Sequence, residues 1–217
     1  MKKPLTITAI KKEACTFARK ESKHHEPSLY GVTDGKAVGT YLEHKFQASL
    51  QKKYTYEQGS SAKGIDFPEL HVDIKVTSIK QPQSSCPYKS AKQKIYGLGY
   101  ALLVFVYSKT DNEKKKTGNL NIKHAIFVEK ERTADFQTTS GIRKILDNSG
   151  NVDDIIAFLG ERFLPVDEIQ AHDLAEEILK NPPKTGYITI SNALQWRLQY
   201  SRVIEKAGTV AGIHRIV

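Results

Sequence analysis

Apolar and charged positions alternate between residues 70 and 77, where Leu70, Val72, Ile74 and Val76 are separated by His71, Asp73, Lys75 and Thr77. A period of two marks a strand with one buried face, so IDFPELHVDIKVTS (65–78) predicts a strand whose opposite face carries Asp73 and Lys75. Upstream, KAVGTYLEHKFQASLQKKY places Val38, Leu42, Phe46 and Leu50 at helical spacing. This predicts a helix over 36–52, entered from a turn at Gly31, Asp34 and Gly35. Pro82 and Pro87 punctuate the chain beyond the strand, and Ser90 stands as a cap before the helical stretch AKQKIYGL. YALLVFVYSK (100–109) is continuously apolar, as a fully buried central strand would be. The polar segment KTDNEKKKTGN predicts a solvated hairpin loop, with NIKHAIFVEK (121–130) as the returning strand.

The second half reads differently. TTSGIRKILDNSG and VDDIIAFLGERF have helical spacing, and VDEIQAHDLAEEILKNPP is amphipathic and stopped by Pro182 and Pro183. YITIS predicts a short strand, NALQWRLQYSRVIEKAG a helix capped by Ser191, and TVAGIHRIV half of a hairpin. The pattern predicts an α/β protein with a central mixed β-sheet flanked by helices. A core domain spans 1–150, and a helical subdomain spans 151–217, in an element order close to that of a winged helix-turn-helix.

At 217 residues, 39% of them hydrophobic, the chain can bury a real core. No apolar run approaches the roughly 20 residues that a membrane-spanning helix needs. The first residues, broken by Lys11 and Lys12, do not read as a secretory signal, and a cytoplasmic location with no membrane partner is expected. Cys15 and Cys86 lack partners at metal-ligand spacing and read as reduced thiols. The net charge of +9 favours a polyanionic partner. It is unevenly spread: 1–150 carries 26 basic and 15 acidic residues, 151–181 two and eight, and 182–217 five and one. An acidic helical pair facing solvent thus separates two basic regions suited to one ligand.

The charged face of the predicted strand carries the chemistry. Asp73 and Lys75, two apart, project together. Asp66 lies before Phe67-Pro68, where a proline without an N–H forces a bend that can return it beside Asp73. Two adjacent carboxylates repel unless a cation lies between them. Mg²⁺ prefers oxygen ligands and keeps several waters, so Asp66, Asp73 and the carbonyl of Ile74 suffice as protein donors. Lys75 would stabilise charge on a phosphoryl oxygen during metal-assisted phosphodiester hydrolysis. The bland reading is an Asp73–Lys75 pair on a solvated face, worth at most about 1 kcal/mol. Glu69, beside Pro68, is the rival for Asp66.

The pattern D-F-P-E-L-x-V-D-I-K, following a helix G-K-A-V-G-T-Y-L-E, resembles the PD-(D/E)xK nuclease superfamily, and its spacing looks like the MutH and Sau3AI branch of DNA endonucleases. PYKSAKQKIYGLGYALLVFVY is similar to segments of type II restriction endonucleases. The resemblance covers residues 35–108 and implies a restriction-endonuclease-like fold with an active site of Glu43, Asp66, Asp73 and Lys75. It departs at Asp73, where that branch usually has glutamate. Glu43 also has a plain reading, as a surface ion-pair partner of Lys36 or Lys45.

For DNA contact, Lys89, Lys92 and Lys94 open the next helix, Lys92 foremost, near a dipole that favours phosphate. The run Lys114–Lys116 reads as a solvated hairpin tip. Gln195, Gln199 and Arg202, at i, i+4 and i+7 of the C-terminal helix, are residue types that pair with base edges in the major groove. The whole implies a Mg²⁺-dependent type II restriction endonuclease acting on double-stranded DNA, and the resemblance implies a homodimer. A monomeric MutH-like nicking or repair endonuclease and a catalytically inactive DNA-binding protein are the alternatives.

Overall fold

A computed structural model describes residues 2–59, 64–190 and 197–217. In chain order the elements are β1 (Lys3–Pro4), α1 (Ile7–Glu21), β2 (His25–Glu26), α2 (Gly35–Gln51), β3 (Tyr54–Thr55), β4 (Val72–Ser78), β5 (Gln83–Ser85), α3 (Ala91–Tyr96), β6 (Ala101–Asn112), β7 (Thr117–Val128), α4 (Phe136–Asp147), α5 (Val152–Glu161), α6 (Glu168–Lys180), β8 (Arg197–Gln199), α7 (Ser201–Lys206) and β9 (Ile213–Arg215). They pack as two compact units. One holds residues 1–83, 102–128 and 206–217, the other 84–101 and 129–205.

The first unit is built on a sheet in the order β2-β7-β6-β4, with β9 also on β7. β6 and β7 form an antiparallel hairpin, and β2 and β9 pair antiparallel with β7. The hairpin reaches further into its polar tip than the sequence suggests, because β6 extends to Asn112 and β7 begins at Thr117. Leu102 to Val106 are fully buried, as a continuous apolar run demands. Against the sheet lie α1, packed on β7, and α2, packed on β4. Phe17 of α1, Phe46 of α2 and Phe105 of β6 meet with ring centroids 5.1–5.8 Å apart and join the layers.

α2 forms where the spacing places it: Asp34 caps its first amides, and Val38, Leu42, Phe46 and Leu50 make its buried stripe. α1 is a correction to the reading of the first residues as a short broken apolar stretch. Lys12 lies on its exposed side and Lys11 reaches over the Phe127 ring of β7 at 4.4 Å, while Ile10, Ala14, Phe17 and Ala18 share the buried face, behind a cap at Thr6.

The second unit is largely helical. Ile95 of α3, Ile142 of α4, Ile155 and Leu159 of α5, and Leu174 and Ile178 of α6 form one core cluster. α4 and α5 approach closely at Gly141, where an added Cβ would stand 2.2 Å from Phe158 Cζ. The buried Asp135 caps α4, accepting from Thr138 N at 2.8 Å and Thr138 Oγ1 at 2.6 Å, and ties in Ile190 N at 3.0 Å.

The expected helix over 192–208 is corrected over its described part. Residues 197–199 are extended, and Gln199 exchanges backbone hydrogen bonds with Thr189. Only Ser201–Lys206 is helical. The reason is a second periodicity in the same residues: Leu198 and Tyr200 are fully buried while Arg197 and Gln199 are exposed, the alternation of a strand. Ser191, the expected cap, lies outside the described residues.

Candidate active site

The local fold explains how two carboxylates seven residues apart come together. Phe67 and Val72 form an antiparallel bridge, Phe67 N donating to Val72 O at 3.0 Å and Val72 N to Phe67 O at 3.2 Å. Between them Pro68–Leu70 make one 3₁₀ turn that Pro68 can begin without an N–H, and His71 closes it in the left-handed region at φ 50°. Continuing the bridge by one residue on each side sets Asp66 opposite Asp73. Ile74 N donates to Asp66 Oδ2 at 2.7 Å, and Gly59 N to the Asp66 carbonyl at 3.0 Å, which fixes the turn.

The helix α2 supplies the opposite wall. Glu43 and Gln47, one turn apart, face the same cleft, and Gln47 Nε2 donates to Asp66 Oδ1 at 2.9 Å. Both Asp66 oxygens are therefore oriented, one by a helix and one by a strand. The cleft is about 300 Å³, lined by these residues, Asp73, Ile74 and Lys75, with His44, Gly59, Gly64 and Ile65. Gln47 was missed by the sequence reading, and His44, whose spacing to the other histidines fits no metal site, reads there as an ordinary histidine. The i, i+4 relation of Gln47 to Glu43 was the signal available for it.

Asp73 is only 4% exposed, which removes the reading of a solvated strand face. Lys75 Nζ lies 2.7 Å from its Oδ2, at ion-pair range but without hydrogen-bond alignment, so this buried oxygen has no hydrogen-bond donor. Burial raises the Glu43 carboxyl to about 7; Lys75 opposes the rise and Asp73 adds to it. Burial likewise pushes Asp66 well above the usual carboxylate range, reinforced by its hydrogen bond with Asp73 and the charges of Asp73 and Glu43, while the Ile74 amide opposes. Glu69 is exposed and takes the Glu57 amide at 3.4 Å, outside the cleft lining. The cleft is thus lined by Asp66 and not by Glu69.

A hard divalent cation fits this donor set. It would give the buried Asp73 Oδ2 a ligand bond beside its ion pair with Lys75 and offset the burial and charge repulsion that raise the Asp66 and Glu43 carboxyls. Among the described residues no three His, Cys, Asp or Glu side chains converge as a metal-ligating group. The protein share would therefore be Asp66 and Asp73, with the Ile74 carbonyl as the third oxygen.

Comparison with known proteins places this site in context. The family model of the type II restriction enzyme NspV matches residues 4–215. A curated protein, the type II restriction enzyme NspV of Nostoc sp. (strain ATCC 29411 / PCC 7524), is 65% identical over 209 residues, covering 96% of this chain and 95% of its own. The chain belongs to the NspV family of type II restriction enzymes. No solved structure matches it.

In this NspV-family chain the other expected contact residues fall in the second unit. Lys89 is exposed just before the Ser90 cap, and Lys92 is exposed and paired with Glu177 at 2.7 Å. Lys94 is buried. Gln199 is exposed on β8, whereas the Arg202 guanidinium stacks 3.7 Å from the centroid of the Phe136 ring. The two do not share a helix face, because Gln199 lies on β8 and Arg202 on α7. Gln195 lies outside the described residues. The lysine run 114–116 does occupy the tip of the β6–β7 hairpin, where Lys116 pairs with Glu113 at 3.3 Å. No helix among the described residues is long and apolar enough to cross a membrane.

Proposed function

We propose that this type II restriction enzyme makes site-specific, Mg²⁺-dependent hydrolytic cuts in double-stranded DNA through Asp66, Asp73 and Lys75, with Glu43 as the third carboxylate of the cleft. The observation that carries the reading is the Phe67–Val72 bridge, which sets Asp66 against Asp73 and leaves a buried Asp73 oxygen without a hydrogen-bond donor beside Lys75. Asp66, Asp73 and the Ile74 carbonyl would hold the cation. When bound, it supplies a Lewis acid beside the scissile phosphodiester and makes water a better nucleophile near neutral pH.

The chain's own groups do the rest. Gln47 and the Ile74 amide hold Asp66 in one orientation, so no side-chain rotation is needed when substrate arrives. Lys75, itself half-buried, presents a fixed positive charge where negative charge builds on a phosphoryl oxygen. The turn and wall residues of the cleft place these groups at its floor, so the backbone of DNA must enter the cleft to be cut.

The restriction-endonuclease-like fold and the PD-(D/E)xK assignment are part of this proposal, supported by α2 against β4 and by the acidic-x-Lys strand. So is the division of labour, with catalysis within 1–150 and DNA recognition within 151–217. Gln199 remains a candidate for base contact from β8. A recognition helix of the winged helix-turn-helix kind has no support over 197–200, which are not helical. A homodimer would let two such sites cut both strands of a palindrome.

The test is digestion of unmethylated phage-sized duplex DNA by purified protein with and without Mg²⁺, followed by sequencing of the fragment ends. Discrete Mg²⁺-dependent fragments with a common end sequence are expected. Nicking of supercoiled DNA without double-strand breaks would instead favour the MutH-like reading, and binding without either would favour an inactive DNA-binding protein.

A further inference from the structure

Lys94 of α3 is 3% exposed, an unusual place for an ammonium group. Among the described residues its ammonium makes no hydrogen bond and no ion pair, although its carbonyl accepts from Asp135 N at 2.9 Å, and its side chain lines a cavity of about 90 Å³. That volume is about three times the share of one water molecule in the liquid, about 30 Å³, and suits one tetrahedral oxyanion. Arg162 faces the same cavity, as do Gln137 and Thr138 of the first turn of α4. Two acids also line it. Asp135 is engaged by three donors, from Thr138 and Ile190, and Glu161 is exposed at the rim.

We propose that this cavity is a binding site for a single phosphate group, held by Lys94 on its floor and Arg162 at its rim against the first turn of α4. Among the described residues the Lys94 ammonium has no protein acceptor within the cavity. Burial disfavours the charged form of Lys94 and lowers its pKa; Asp135 opposes this and Arg162 adds to it. A phosphate entering the cavity gives Lys94 the acceptors it lacks and turns the repulsion between Lys94 and Arg162 into shared attraction. The helix end adds its partial positive charge at the same point. Lys92, by contrast, already has Glu177, so the basic stretch 89–94 offers its least exposed lysine, rather than its most exposed one, to an anion.

The phosphate can belong to the DNA backbone or to a free phosphate compound. The first source rests on the restriction-enzyme reading, and the second does not. Two arms on the full-length protein separate them. In the first, inorganic phosphate is titrated at constant ionic strength and the melting temperature is followed. The wild type should melt higher with phosphate, Lys94→Met should not respond, and Arg162→Gln should respond weakly. Removing an unpaired buried charge favours folding, so Lys94→Met should remain native, and Arg162→Gln gives a second, half-buried position if it does not. In the second arm, DNA affinity in Ca²⁺ is measured against salt. A backbone contact predicts that the slope of log affinity on log salt drops by about 0.9 in Lys94→Met.

A phosphate response with the slope change assigns the site to DNA. The response without the slope change assigns it to a free phosphate compound. Failure of the wild type to bind DNA would sink the restriction-enzyme reading while the titration still decides the cavity. No phosphate response together with an unchanged slope would overturn the proposal and leave the cavity to water bridging Lys94 and Asp135.

Discussion

Burial of Glu43 beside Asp73 has a cost that appears only when the carboxyl ionises. Its folded value of about 7 stands above the usual 4.5, so the folded state is favoured at low pH. That stability is complete below 4.5 and is lost as pH rises through 7. Without divalent cations, Glu43→Gln should therefore melt a few degrees above the wild type at pH 8 and level with it at pH 4.5. Equal melting temperatures at both values would remove the burial argument. Glu26 works in the opposite sense, lowered to about 2 first by its hydrogen bond with His24, and its contribution fades only as pH falls below 4.5 toward that value. Comparing two chains that both retain Glu26 and the half-buried His124 cancels these contributions. Gln47 supplies a separate test at this scale. Gln47→Leu should keep the fold but weaken Ca²⁺ binding by calorimetry and lower kcat, with KM for DNA little changed. Unaltered Ca²⁺ affinity would show that Asp66 needs no partner on α2.

At the scale of elements, the packing of α4 on α5 through Gly141 predicts a reversal of ordinary helix preference. Alanine in an exposed helix is favoured over glycine by about 1 kcal/mol. Here its Cβ would meet the Phe158 ring at 2.2 Å. Overpacking should win, and Gly141→Ala should lower stability by about 1–3 kcal/mol in urea denaturation. A stabilised variant would show that the two helices can part at no cost. The same scale explains what the sequence disclosed. β4 and α2 were legible because each buries one stripe at a clean period, Ser90 was legible as a cap, and Asp34 was legible as part of the turn that opens α2. α1 was not, since Lys11 and Lys12 interrupt its apolar run without interrupting its buried face. Residues 197–200 satisfy both periods over a short length, and pairing with Thr189 decided the outcome. Such a choice is made by a distant strand, so no local pattern announces it.

For the whole molecule, the two compact units interleave along the chain, because β6 and β7 leave the second unit's segments on either side of them and the last residues return to β7. A hydrophobicity pattern reports stripes and turns, and it carries no information on which distant segments share a core. The active-site candidates fared better: Asp66, Asp73 and Lys75 were brought together by a local turn, whereas the contact residues in the second unit depended on long-range packing, which buried Lys94 and stacked Arg202 on Phe136. With a net charge of +9, DNA binding should weaken steeply with salt, and a homodimer should show twice the chain mass in sedimentation with cuts in both strands of one site. A monomer that nicks one strand would contradict that assembly.

The central claim is that the Asp66–Asp73–Lys75 cluster performs the cleavage. The most direct measurement compares the wild type with Asp73→Ala and Lys75→Ala, following DNA cleavage in Mg²⁺ and DNA binding in Ca²⁺ on the same preparations. The account predicts that cleavage in both variants falls by at least about a hundredfold while binding stays within a few fold. Cleavage at the wild-type rate in either variant would contradict it.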